Sequence, residues 1–508
     1  MVGRYVLSLL CVVSAANAVW PEFRFASYYG DHMVLQKAPE RAVLWGYASD
    51  RSKVFVILAG QQEIKKQAAY VQNGTWRVTL DPVNAGGPYN VTAVQQGPAH
   101  AQVTLTDVLF GDVWLCGGQS NMVFLLSKVF NASEELALAP KFSHVRIFMA
   151  ALELSKKELI DLPKVEMPWS LPSTELLGNF SAVCWLFGRY LYETLGYPVG
   201  LVESCWGGTP VEAWSSPRAL HKCSLEEQED NSYLSVSPNE MEPSPKRDNS
   251  VLWNAMIHPL LNMTIQGAIW YQGEDNTQYH LDKYGCSFPA MIDDWRASFH
   301  QGSGGQTAAD FPFGFVQLST HFKGAVKDGF PELRWHQTAG YGFSPNPRMQ
   351  NTFMAVALDL PDEGSPWGSI HPRDKQDVAH RLTLGARAVA YREKGVSFQG
   401  PFPVKVLLSQ DSINIFYTQA ISVSLSITIF EICCTKVQEP CSSDSKWLPA
   451  PIMQWGRSSV QVSAAMCEEV VSGLRYAWRD WPCDFKACPV YSADQELPAP
   501  PFTTNRWP

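Results

Sequence analysis

Four short segments carry the residue types that acyl transfer requires: a nucleophile, a base and donors for a developing oxyanion. The first is Gly111-Asp-Val-Trp-Leu-Cys-Gly-Gly-Gln-Ser-Asn-Met122, where a strand-like run enters two glycines, then Ser120, then a helix-like start. That order sets the Ser120 hydroxyl at the carboxyl end of a strand, beside backbone N–H groups that stabilise negative charge. A serine that merely caps a helix is commoner. Met122 stands where a Gly-x-Ser-x-Gly elbow would have its second glycine. The second segment is Ser204-Cys-Trp-Gly-Gly-Thr-Pro-Val-Glu-Ala-Trp214, in which Gly207 or Gly208 could bring a backbone N–H close to a reacting oxygen. The third, Trp270-Tyr-Gln-Gly-Glu-Asp-Asn276, offers the Gln272 amide as an oxyanion donor and Glu274 and Asn276 to position substrate or loops. The fourth, Ser369-Ile-His-Pro-Arg-Asp-Lys-Gln376, offers His371 as the base. Taken singly, the second and third read better as plain loops, and His371 is one of 11 histidines. Their coincidence at four strand ends is what points to a hydrolase.

The elements that must position these residues are legible as alternating strand and helix patterns. Strands are expected at 108–115, 199–202, 266–271, 313–318 and 353–360, and helices from 121–130 and at 182–195, 288–299 and 374–391. Such alternation implies βαβ units and a parallel α/β sheet, whose sites lie beyond the carboxyl ends of its strands. Residues 19–106 read as short strands divided by turn clusters, suggesting a small sandwich, and residues 397–508 return to β patterning and end in a Pro-rich tail. The α/β catalytic domain is thus expected over 107–396, with a polar, Pro/Ser-rich surface insertion at 222–250.

Composition narrows the partner and the compartment. The chain has 508 residues, 46% hydrophobic and 18% charged, which excludes disorder as its main state. Its net charge of −9 argues against nucleic acid or anionic membrane as the main partner. The 18 tryptophans suit sugar stacking, and equally suit large β cores. Residues 1–18 read as a secretory signal: Arg4, an apolar run over 5–13, and the small-x-small site Ala16-Asn17-Ala18. No later segment is apolar long enough to span a membrane. Sequons at Asn73, Asn90, Asn131, Asn179 and Asn262 offer glycosylation sites in that pathway. Of 12 cysteines, Cys11 leaves with the signal, so an odd number remains and at least one thiol is free. Six cysteines cluster over 433–488, which suggests a disulfide-stapled C-terminal region. No CxxC or HExxH spacing occurs, so neither a metal site nor a cofactor is expected.

Together with Gly30-Asp-His-Met-Val-Leu-Gln36, the four segments resemble, in order, the blocks of the SGNH hydrolase superfamily, and within it the carbohydrate O-acetylesterases that act on sialic acids. The resemblance implies an SGNH-like parallel sheet with helices on both faces, flanked by N- and C-terminal β-rich domains. It implies a lysosomal or secreted serine esterase that removes acetyl groups, mainly from the 9-hydroxyl of sialic acids. By motif, Ser120 is the nucleophile, His371 the base, and the Ser120 N–H, a glycine of the Gly207-Gly208 pair and the Gln272 amide form the oxyanion hole. Many superfamily members carry Asp three residues before the His, where this chain has Gly368. The orienting carboxylate must then come from Asp359, Asp362 or Glu363, with Asp359 preferred, or a backbone carbonyl must serve a Ser–His dyad. An acetylesterase for another carbohydrate and a decayed sugar-binding protein are the competing expectations. A sialate carries a carboxylate, so the site should also hold an Arg or Lys, which the sequence leaves unnamed.

Overall fold

The computed structural model describes residues 22–505, apart from 61–63, 98–99, 226–243, 326–328, 437–439 and 443–444. The expected signal segment and most of the polar insertion lie outside the described residues.

Seven strands form the central sheet, in the order Val165–Ser170, Val145–Ala150, Val199–Cys205, Ala101–Gly118, Gly267–Tyr271, Phe313–Gln317 and Thr352–Val356. All neighbouring pairs run parallel except the antiparallel edge pair of Val165–Ser170 with Val145–Ala150. The parallel strands are buried along almost their whole length, as expected of a sheet covered by helices. On the central strand the Trp114 ring packs edge-on to Phe187 of the helix Ala182–Leu195. A Cβ on Gly117, three residues on, would instead meet Trp270 and Trp295, the latter from the helix Tyr284–Gly302. An odd spacing along a strand puts the two positions on opposite faces, so each face carries helices.

The expected boundary between residues 106 and 107 falls inside one 18-residue strand, Ala101–Gly118. Its first half pairs antiparallel with Gly86–Gln96, and its second half lies at the centre of the parallel sheet. The burial pattern changes along it from alternating to continuous, which records the change of surroundings. The N-terminal strands therefore share a core with the α/β unit rather than forming a separate sandwich. The C-terminal strands build their own core around Ile413, Ile415, Phe430, Leu474 and Tyr476.

The helix expected over 121–130 is broken: Ser120–Val123 is one turn, and Leu126–Lys128 is a 3₁₀ turn. Neighbouring backbone takes over the hydrogen bonds between them, with Leu126 N–H donating to Phe180 O and Ala182 N–H to Phe124 O. The strand expected over 353–360 ends at Val356, and residues 357–360 continue as a buried turn.

Five disulfides join Cys116 to Cys184, Cys223 to Cys286, Cys433 to Cys441, Cys434 to Cys467 and Cys483 to Cys488. Three of them staple the C-terminal region, and Cys205 is a free, buried thiol. This pairing fits an oxidising compartment. Among the described residues no helix is long and apolar enough to cross a membrane.

Candidate active site

Strand register brings the serine loop between two others. Gly118 pairs with Cys205 on one side and with Tyr271 on the other. Trp206 N–H donates to Gly118 O at 3.0 Å and Gln119 N–H to Tyr271 O at 2.9 Å. Gly118 has φ +139°, and a Cβ there would lie 2.1 Å from Tyr271 O, so only glycine makes this turn. Ser120 follows, half-buried between the fully enclosed Gln119 and Asn121. A Cβ on Gly207 would come 3.3 Å from the Ser120 Cβ, which places that loop directly against the nucleophile position. Ser120 begins a one-turn helix in which the Met122 and Val123 N–H groups close on Gln119 O, so the Ser120 N–H stands at the open first position of the turn. Gly208 (φ +66°) faces the Lys246 ammonium, which donates to Gly207 O at 2.6 Å.

The histidine loop meets the serine loop through their neighbours. Asn121 Nδ2 donates to Ile370 O at 2.8 Å, and the Phe124 ring lies nearly parallel to the His371 ring at 6.4 Å between centroids. His371 Nδ1 lies 2.9 Å from Trp367 O. A carbonyl only accepts, so Nδ1 carries the proton and Nε2 is left with its lone pair, the tautomer a general base needs. Gly368, at φ +85°, makes the turn that returns His371 N–H to Gly368 O and swings the Trp367 carbonyl onto the ring.

This geometry corrects the expectation for Asp359. Its carboxylate is fully buried and takes both guanidinium N–H groups of Arg381, at 2.6 and 2.9 Å, and the Tyr491 hydroxyl at 2.9 Å. Removing one partner of such a pair costs about 3–5 kcal/mol, and through the Tyr491 hydroxyl and Lys486 N–H Asp359 also meets the C-terminal region. Asp362 is likewise held by Arg373, and Glu363 lies 3.6 Å from Lys323. The acceptor on the histidine is the backbone carbonyl, the alternative the sequence had left open.

Gln272 is also corrected. Its amide donates to Thr209 O (3.2 Å) and Asn276 Oδ1 (2.7 Å), and its oxygen accepts from the Tyr284 hydroxyl (2.8 Å). With both N–H groups used and the side chain fully buried, it braces the loop instead of facing a substrate. Asn276 does the same, accepting from Val211 N–H and donating to Glu212 and Tyr279 O. Glu274 accepts from Asn121 Nδ2 at 2.5 Å.

Sequence reasoning missed the centre of this brace. Lys375, fully buried, donates to Asn121 Oδ1 at 2.7 Å. Asn121 thereby joins the serine, glutamate and histidine loops at once. The Lys375 ammonium also lies over the Phe124 and Tyr271 rings, at 4.9 and 5.2 Å. Burial pulls its pKa down to about 7 and pushes that of Glu274 up. A signal for Lys375 did exist: it opens the helix Lys375–Val389, where a cation opposes the helix dipole and needs another reason to be there.

Residues 110–364 match the model of the carbohydrate esterase, sialic acid-specific acetylesterase family, and residues 403–506 match that of the sialate O-acetylesterase C-terminal domain. The human sialate O-acetylesterase is 50% identical over 94% of this chain and 92% of its own, and the mouse one 49% over 97% and 96%. This chain belongs to the sialate O-acetylesterase family. A crystal structure of a carbohydrate acetylesterase from Xanthomonas citri superposes with a TM-score of 0.77 at 28% identity, covering 95% of this chain and all of that one.

The charges around His371 would set the pH range of a sialate O-acetylesterase that uses it as its base. Burial, opposed by the Trp367 carbonyl and reinforced by Lys375, Lys128 and His321, holds the imidazole below its ordinary value of 6.5. A base must be unprotonated to act, so a lowered pKa extends activity to lower pH. The acidic limb of kcat/KM is therefore expected below pH 6.5. In Lys375→Met it should move upward, as one opposing charge is lost, and kcat/KM at the plateau should fall about tenfold as Asn121 loses its anchor. A limb that stays in place in the variant, measured as initial rates from pH 4.5 to 8, would separate Lys375 from the base.

Proposed function

We propose that this chain hydrolyses O-acetyl esters of sialic acids, chiefly at the 9-position, by a Ser120–His371 dyad. The observation that carries the mechanism is the Trp367 carbonyl on His371 Nδ1, which fixes the base-competent tautomer. His371 Nε2 takes the proton as Ser120 Oγ attacks the acetyl carbonyl. The oxyanion is stabilised by the Ser120 N–H and a backbone N–H of the Gly207-Gly208 loop, each contributing about 10²–10³ in rate. His371 then protonates the departing sugar hydroxyl, and water, deprotonated by the same nitrogen, releases acetate from Ser120. The sheet and its loop placement support an SGNH-type catalytic unit that extends to about residue 396 and is joined to the N-terminal β-rich flank through the strand Ala101–Gly118, with a second β-rich flank after it.

A decayed sugar-binding role is disfavoured because the backbone supplies what Gly368 withholds from the usual pattern. The disulfides and the exposed sequon positions Asn73, Asn90, Asn131 and Asn179 support a place in the secretory pathway, lysosomal or secreted; Asn262 is half-buried. An imidazole held below 6.5 suits a mildly acidic compartment. The purified chain should turn over 9-O-acetylated sialic acid with kcat/KM well above that for acetylated xylan. Preference for xylan would replace the sialate reading with that of a polysaccharide acetylesterase.

A further inference from the structure

A sialate ester differs from other acetylated sugars by its carboxylate, and the rim of the site offers a cation in a position to read it. Lys128 ends the 3₁₀ turn Leu126–Lys128, eight residues after the nucleophile. Its backbone is fixed on both sides, with Leu126 N–H donating to Phe180 O at 3.0 Å and Phe130 N–H to Arg373 O at 3.3 Å. Its ammonium lies 4.2 Å from the centroid of the Trp367 ring. That indole is 46% exposed although it is one of the largest apolar groups in the chain. Lys128 has no carboxylate partner among the described residues, whereas nearby Arg373 and Lys323 are each taken by acidic groups. Trp367 is also the residue whose carbonyl holds His371. The cation, the aromatic face and the base are therefore parts of one loop contact.

We propose that Lys128 and Trp367 form the sialate subsite, the ammonium pairing with the substrate carboxylate and the indole covering the C–H face of the pyranose ring. An exposed indole beside a cation suits a ligand that presents an apolar sugar face and an anion together. The inference rests on the sialate-ester reading above and names the group that makes the site selective. Lys375 is fully buried on Asn121, and Lys246, another cation near the nucleophile, is bound to Gly207 O on the opposite loop and lies 6.0 Å from the centroid of the Trp206 ring.

The test compares 9-O-acetyl sialic acid with its methyl ester, which keeps the sugar and loses the charge, in the full chain and in Lys128→Gln, Lys246→Gln and Trp367→Phe. The wild-type chain is expected to prefer the free acid by about tenfold or more in kcat/KM, the span of one charge-assisted contact. Lys128→Gln should bring that ratio close to one, mainly through KM, while Lys246→Gln keeps it. Trp367→Phe should raise KM for both sugar esters and keep the acid preference. A preference that survives in Lys128→Gln, or that is lost in Lys246→Gln instead, overturns the assignment. A wild-type chain that turns over both esters equally refutes the subsite while leaving the esterase reading standing. One that turns over neither refutes the reading itself.

Discussion

Replacing Ser120 with alanine is expected to lower kcat/KM for an O-acetylated sialic acid by about 10⁴-fold or more, the usual scale when a nucleophile acting with its base is removed. The fold should not suffer. Ser120 is half-exposed, and its Cβ already sits 3.3 Å from the Cβ position of Gly207, so alanine adds no atom to a crowded place. The bonds that fix the loop run through Gln119 and Asn121. The melting temperature of Ser120→Ala should therefore match that of the wild-type chain, so that the loss is one of chemistry. A residual rate above this would mean that water is activated directly, with Ser120 merely beside it.

Replacing His371 with glutamine should cost roughly 10²–10⁴ in kcat/KM, the range for a positioned general base. Glutamine is chosen because its amide can still donate to the Trp367 carbonyl and hold the loop. The variant should also lose the acidic limb of the pH profile, since no group titrating below pH 6.5 would remain on the reaction path. A limb that persists would assign the base to another group. His321 is the candidate, because its charge reaches His371 and its carbonyl accepts from the Ser369 hydroxyl of the same loop.

The parts of the site that could be read from sequence are those set by local order. Ser120 and Gly207 each lie two residues past a strand end, so the βα alternation pointed to one rim, whereas His371 lies 15 residues past Val356, in the loop before the helix Lys375–Val389. The group that orients His371 was not legible because it is a backbone carbonyl, and every residue has one. Gly368 was its trace, read as a missing aspartate when it is the residue that makes the required turn. Asp359 looked suitable because it ends a strand beside the histidine segment, but Arg381 and Tyr491, 22 and 132 residues away, take its carboxylate. Gln272 misled for the same reason, since Thr209 and Tyr284 reach it only in the folded chain. The N-terminal boundary was hidden inside Ala101–Gly118 because no turn or composition break marks where a strand leaves one sheet and enters another.

The proposed reaction requires the hydroxyl of Ser120 to be the atom that is acylated. Reaction of the intact chain with a fluorophosphonate, followed by peptide mapping, reads this directly. The expected result is a single adduct on Ser120 that forms far more slowly in His371→Gln. An adduct on a different serine, or labelling that is as fast in Ser120→Ala as in the wild-type chain, would contradict it.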